Sequence, residues 1–197
     1  MKVTAQMVKE LREATGAGIL DAKKALDAAN GNMDDATKSL REKGLAKAAK
    51  KASRDANEGV IQMYAHPGGR VGVMVEINCE TDFVARNEQF QELAHDISLQ
   101  IAAMSPRYLK KEDVPQEDLD NEREILTNLT LKEGKPENIV QRIVDGRMSK
   151  FYSEYVLLEM PFVKDEKKTI GQMVTDAIAS LGENIVVKRF ARYELGG

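Results

Sequence analysis

The 197-residue chain is 42% hydrophobic and 31% charged, proportions that allow one or two domains with a sizeable buried core. A net charge of -3 and a pI near 5.6 exclude a molecule drawn as a whole to nucleic acid or anionic membrane. One cysteine, Cys79, excludes an internal disulfide, and no apolar run reaches the roughly 20 residues that a membrane helix needs. Residues 1–6 lack a charged-then-apolar signal pattern, so a cytoplasmic location is expected.

Residues 1–43 read as three short helices. Thr4 is a natural N-cap for the first, flanked by Val3 and Val8 at the staple positions, and Gly16-Ala17-Gly18 stops it. A second helix, about 19–29, is expected to bury Ile19, Ala22 and Leu26 and to end at Asn30-Gly31. A third, capped by Asn32 or Asp34, runs through Ala36 and Leu40 and is expected to stop at Gly44. Residues 45–57, rich in alanine, read as a separate connector helix with Lys47, Lys50, Lys51 and Arg54 along one face. The expected boundary follows, with a module over 1–54 and a core over 55–197.

At Glu58 the hydrophobic period changes from helical to two. Residues 60–65 and 70–78 read as strands joined by the turn His66-Pro67-Gly68-Gly69, with Val71, Val73, Val75 and Ile77 on the buried face. A helical stretch then runs from Thr81 to about Met104. Helices at about 117–133 and 137–158, broken by Gly134-Lys135-Pro136, predict an antiparallel helical hairpin. On its second arm Ile139, Ile143, Phe151 and Tyr155 are the expected inner residues. Thr169 opens a helix that Gly182 closes, and 184–195 reads as a last strand with Ile185, Val187, Ala191 and Tyr193 on one side.

Catalytic patterns are poor. There is no glycine-rich phosphate loop, no GxSxG and no Cys or His pair at zinc spacing, so no cofactor or metal and no catalytic residue is expected. His66 sits in a turn and His95 on a helix, where surface or structural roles are the ordinary ones. Cys79 lies late in a strand with no adjacent base, which makes it a small buried hydrophobe. Glu76 and Glu80 share a face that Asp82 does not, which argues against a hard-metal site. The lysine face of 47–54 could touch RNA, but a solvated face suits an acidic chain better.

One segment stands out. Cys79-Glu80-Thr81-Asp82-Phe83-Val84-Ala85-Arg86-Asn87 places an aromatic in the first helical turn after a strand, with Thr81 or Asp82 as the cap. On spacing alone Phe83 either folds back onto the sheet or stands exposed as an interaction anchor.

The segment from Glu76 to Arg86 closely resembles the second signature of the elongation factor Ts family, and Leu11 to Leu26 resembles the first. Gly59-Val60-Ile61, Gly134-Lys135-Pro136, Pro161-Phe162-Val163 and Arg189 to Gly196 fit as well, so the resemblance covers almost the whole chain. It implies an N-terminal three-helix module like ubiquitin-associated domains, then an α+β core with a three-stranded antiparallel sheet and a coiled-coil-like hairpin. It further implies guanine-nucleotide exchange: binding to the GTPase EF-Tu and release of its GDP. Thr81, Asp82, Phe83 and Val84 would form the corner that presses on the GTPase and disturbs its magnesium site. Leu11, Arg12, Thr15, Gly16, Ala17, Gly18, Ile19, Leu20 and Lys23 would contact the same domain near the nucleotide. A single signature strand-and-corner resembles the short type of the family, for which a homodimer supplies the second half. Direct nucleic-acid or membrane partners are not implied.

Overall fold

The computed structural model describes residues 3–196, so the reading of Met1 and Lys2 lies outside the described residues. Eight α-helices and a three-stranded antiparallel sheet are present among them, in an α+β arrangement.

The first three helices are α1 (Ala5–Thr15), α2 (Ile19–Ala28) and α3 (Met33–Lys51). The Thr4 hydroxyl accepts the Met7 N–H at 3.2 Å, and Gly16 ends α1 at φ +69°, a left-handed turn that costs a residue with a Cβ far more. Leu11, Ala22, Ala25, Leu26 and Ala36 form a wholly buried centre, with Val3, Met7, Val8 and Leu40 packed around it. Ile19 was expected there and is instead 60% exposed. The inward positions of α2 begin one turn later, at Ala22, and a core of five residues is too small to reach its first turn.

Gly44 does not stop the third helix. Asn32 caps α3 by accepting the Asp34 and Asp35 N–H groups, and the helix then runs unbroken to Lys51, merging the expected third helix with the expected connector. A glycine ends a helix when it turns to positive φ, which Gly44 does not. Its missing Cβ instead allows close packing, because a Cβ there would lie 3.7 Å from Ala179. Arg54, beyond the helix end, leaves the lysine face altogether.

β1 (Glu58–Ala65) and β2 (Val71–Cys79) form the expected hairpin, paired from Glu58 with Cys79 to Ala65 with Gly72. β5 (Val186–Glu194) adds antiparallel on the other side of β2. A bulge at Lys188 breaks the expected alternation, since Glu76 faces Arg189 while Ile77 faces Val187. Past that extra residue the inward side passes to Phe190 and Arg192, and Tyr193 turns out to solvent.

The expected helix over 81–104 is two helices. α4 (Asp82–Ala85) is one turn, and Asn87 caps a fresh start for α5 (Glu88–Met104) by accepting the Gln89 N–H at 2.9 Å. α5 and α8 (Ile170–Leu181) cover the inner sheet face, burying Val73, Val75, Ile77, Phe90, Ile97, Ile101, Ile170 and Ile178. Gly182, at φ +83°, closes α8.

α6 (Gln116–Lys132) and α7 (Glu137–Tyr155) make the hairpin, bridged by Arg123–Asp145 at 2.9 Å and Arg147–Glu133 at 2.8 Å. Its inner residues on α7 are Val140, Val144, Met148 and Phe151. Ile139 and Ile143 lie one position, or about 100° of helix, to the side. A short hairpin of β3 (Pro161–Phe162) and β4 (Asp165–Thr169), not expected from sequence, follows. The buried Gln100 amide pins it, donating to Pro161 O and accepting from the Val163 N–H. No helix among the described residues is long and apolar enough to cross a membrane.

Candidate partner-docking site

The corner between β2 and α4 is built by backbone hydrogen bonds to a distant loop. Thr81 is the N-cap, its hydroxyl accepting the Val84 N–H at 3.4 Å. Val84 and Ala85 turn toward the sheet and α5, which sends Phe83 outward. Its ring is 81% exposed, so it stands in solvent and does not fold back onto the sheet. Asp82 occupies the first turn beside the positive helix end and pairs with Arg86 at 2.9 Å.

Two carboxylates cross between this corner and the loop after α8. Glu183 accepts the N–H groups of Glu80 and Thr81, both at 3.0 Å, and the Thr81 hydroxyl at 2.6 Å. In return Glu80 accepts the Asn184 N–H at 2.7 Å and meets Arg54 at 3.4 Å. The Asn184 side chain donates to Arg54 O at 2.8 Å, which ties the end of the α3 segment into the same junction. The Asn184 N–H, and then Arg54, hold the Glu80 carboxyl below its usual range. Burial, with Glu183 adding to it, pushes the Cys79 thiol up to about 11, so Cys79 stays protonated and donates to Thr81 O at 3.1 Å.

Glu183, Asn184 and Arg54 are the residues that sequence reasoning missed. They lie 26 to 130 positions from their partners, and only an acidic and an amide residue directly after the helix-closing Gly182 hinted at them.

The N-terminal candidates divide by exposure. Leu11 is wholly buried and can act only by supporting the surface. Ile19 and Leu20, at 60% and 72% exposed, form an apolar step at the start of α2. Arg12 donates to Ala17 O at 3.2 Å, and the Thr15 hydroxyl donates to Leu11 O at 2.5 Å and accepts the Ala17 N–H at 3.3 Å. These bonds fix the Gly16–Gly18 loop. Arg12, Ile19 and Lys23 share a hollow of about 380 Å³ with Val3, Thr4 and Val8.

Other polar residues that the sequence singles out form ion pairs. Glu76 meets Arg189 at 2.7 Å, and Lys47 meets Asp21 at 3.0 Å. Among the described residues no three His, Cys, Asp or Glu side chains gather as a metal site would require. The Tyr64 hydroxyl meets His66 Nδ1 at 3.1 Å, and its ring lies edge-on to His95.

The α+β scaffold thus holds an aromatic in solvent on a corner tied by hydrogen bonds, and its N-terminal helices carry exposed aliphatic residues. The family model described as elongation factor TS matches residues 2–197. Proteins named elongation factor Ts from Desulfitobacterium hafniense and Carboxydothermus hydrogenoformans are 59% and 57% identical, covering 99% and 98% of this chain and 90% and 89% of their own. The one from Caldanaerobacter subterraneus subsp. tengcongensis is 57% identical over 98% of this chain and 97% of its own. The chain belongs to the elongation factor Ts family and is a translation elongation factor.

Proposed function

We propose that the chain is a guanine-nucleotide exchange factor that binds EF-Tu in the cytoplasm and releases its GDP without covalent chemistry. The observation that carries the reading is Phe83, an aromatic 81% exposed on a corner whose backbone is anchored on both sides. Leaving that ring in water is unfavourable, and it is the kind of side chain that dominates a protein interface once buried. Magnesium on the GTPase bridges phosphate oxygens and offsets their charge, so shifting it weakens nucleotide binding. A wedge does so only if it fits the shifted arrangement better than the closed one. Factor and nucleotide then weaken each other by the same factor, which lets GTP later expel the factor.

Thr81, Asp82, Phe83 and Val84 form the wedge in this reading. Arg12, Thr15, Gly16, Ala17, Gly18, Ile19, Leu20 and Lys23 form a second contact on a module of the ubiquitin-associated type, which residues 1–54 make up with Leu11 at its centre. The outer sheet face carries Ile61, Met63, Met74 and Tyr193, all exposed, and supports pairing with a second copy. Sedimentation that finds only monomer at micromolar concentration would rule that pairing out.

Release of labelled GDP from purified EF-Tu, with and without the chain, tests the function. Acceleration is expected. Unchanged release in the presence of a folded chain, or salt-sensitive RNA binding without EF-Tu association, would overturn it.

A further inference from the structure

We propose that Glu183 is a positioning residue for exchange: its carboxylate holds the β2–α4 corner so that Phe83 meets the partner already oriented. The proposal rests on the exchange reading above and deepens it.

Three donors converge on one carboxylate, the Glu80 N–H, the Thr81 N–H and the Thr81 hydroxyl, at 3.0, 3.0 and 2.6 Å. An ionised carboxylate can only accept, so it fixes the direction of the Thr81 proton. With its proton committed to Glu183, the Thr81 oxygen turns a lone pair to the Val84 N–H and caps α4. A four-residue helix has almost no internal hydrogen bonding of its own, so its direction depends on that cap. Phe83 is the second residue of α4, between the Thr81 cap and the Val84 N–H that the Thr81 hydroxyl accepts.

The hold is reciprocal. Glu80, whose own N–H goes to Glu183, sends its carboxylate back to the Asn184 N–H beside Glu183. Glu183 therefore satisfies two backbone donors just past β2 and Glu80 one in the α8–β5 loop, and neither segment can shift without leaving N–H groups unpaired. The ring makes no such contact of its own and is 81% exposed. Its orientation comes from the backbone beneath it, and a preoriented anchor binds better because less freedom is lost on docking.

A double-mutant cycle on the full chain tests this, with labelled GDP release from EF-Tu, thermal unfolding and amide hydrogen exchange read on each protein. Glu183→Ala is expected to slow release about tenfold with Phe83 present and less than about twofold in a Phe83→Ala background. The Glu80 and Thr81 amides are expected to exchange at least about tenfold faster. Should Glu183→Ala fail to fold, Glu183→Gln replaces it, since its amide oxygen can still accept the two N–H groups while its NH₂ group misdirects the Thr81 hydroxyl. Equal slowing in both backgrounds would overturn the positioning role, as would unchanged protection of the Glu80 and Thr81 amides in Glu183→Ala, or of the Val84 amide that Thr81 caps in Glu183→Gln. If Phe83→Ala alone leaves release unchanged, the exchange reading of the corner falls, and amide protection still decides whether Glu183 holds the corner.

Discussion

The β2–α4 corner and the start of α2 both present apolar side chains to water, but they support them differently. Phe83 stands on a backbone tied to the α8–β5 loop by bonds from Glu183, Glu80 and Asn184, and to a core that includes Ile77, Phe90 and Ile178. Ile19 and Leu20 stand on a module whose centre is five residues, three of them alanine. That module is fastened to the core mainly where Gly44 lets α3 approach α8, and where Lys168 donates to Ala14 O at 3.1 Å. Exposure alone therefore does not define an anchor. In the proposed reading, stiffness beneath the side chain decides how much of its burial reaches the partner as binding, and the corner is held by more hydrogen bonds.

Three experiments test that contrast. The largest effect is expected from Leu26→Ala, which removes a wholly buried side chain from the small module and costs about 3 kcal/mol there. The module should lose protection in hydrogen exchange while β1, β2 and β5 keep theirs. Simultaneous melting of the sheet would mean that the two regions are one cooperative unit.

Next comes the exposed anchor in each region. Phe83→Ala should leave the unfolding temperature nearly unchanged, because an 81% exposed ring has little burial to lose. It should cost about 2 kcal/mol of exchange, roughly thirtyfold in GDP release. Leu20→Ala is expected to cost about 1 kcal/mol or less, being smaller and less firmly held. An equal or greater loss at Leu20 would reverse the ranking of the two regions.

The smallest effect concerns Asp176, on the side of α8 that faces the module. Burial raises its carboxyl above the ordinary 3.8 despite Lys168 at 3.8 Å and the nearby Arg41. The folded state therefore holds the proton more tightly than the unfolded one. Its favourable contribution is complete below that ordinary value and is lost as pH rises through the folded pKa. Asp176→Asn should accordingly raise the unfolding temperature at pH 7 and change it less near pH 3. A variant less stable at pH 7 would show that the pairing with Lys168 outweighs the cost of burial.

Local physics set much of this molecule within short windows. Thr4, Asn32 and Thr169 announced helix starts, Gly16 and Gly182 announced stops, and the alternation through Val71, Val73, Val75 and Ile77 gave the central strand and its buried side. Each of those signals acts over about one turn of helix or one pleat, so no distant residue was needed to read it. The odd placement of an aromatic after a strand likewise marked the corner. Tertiary structure decided the rest, because the deciding partner was remote. Gly44 reads as a stop until Ala179 of α8 is beside it, and the side of β5 that faces the core depends on one bulged residue against β2. Phe83 could have packed on the sheet or stood free by its spacing alone. It stands free because Val84 and Ala85 take the inward positions, and because Glu183, more than 100 residues away, fixes the backbone that carries all three.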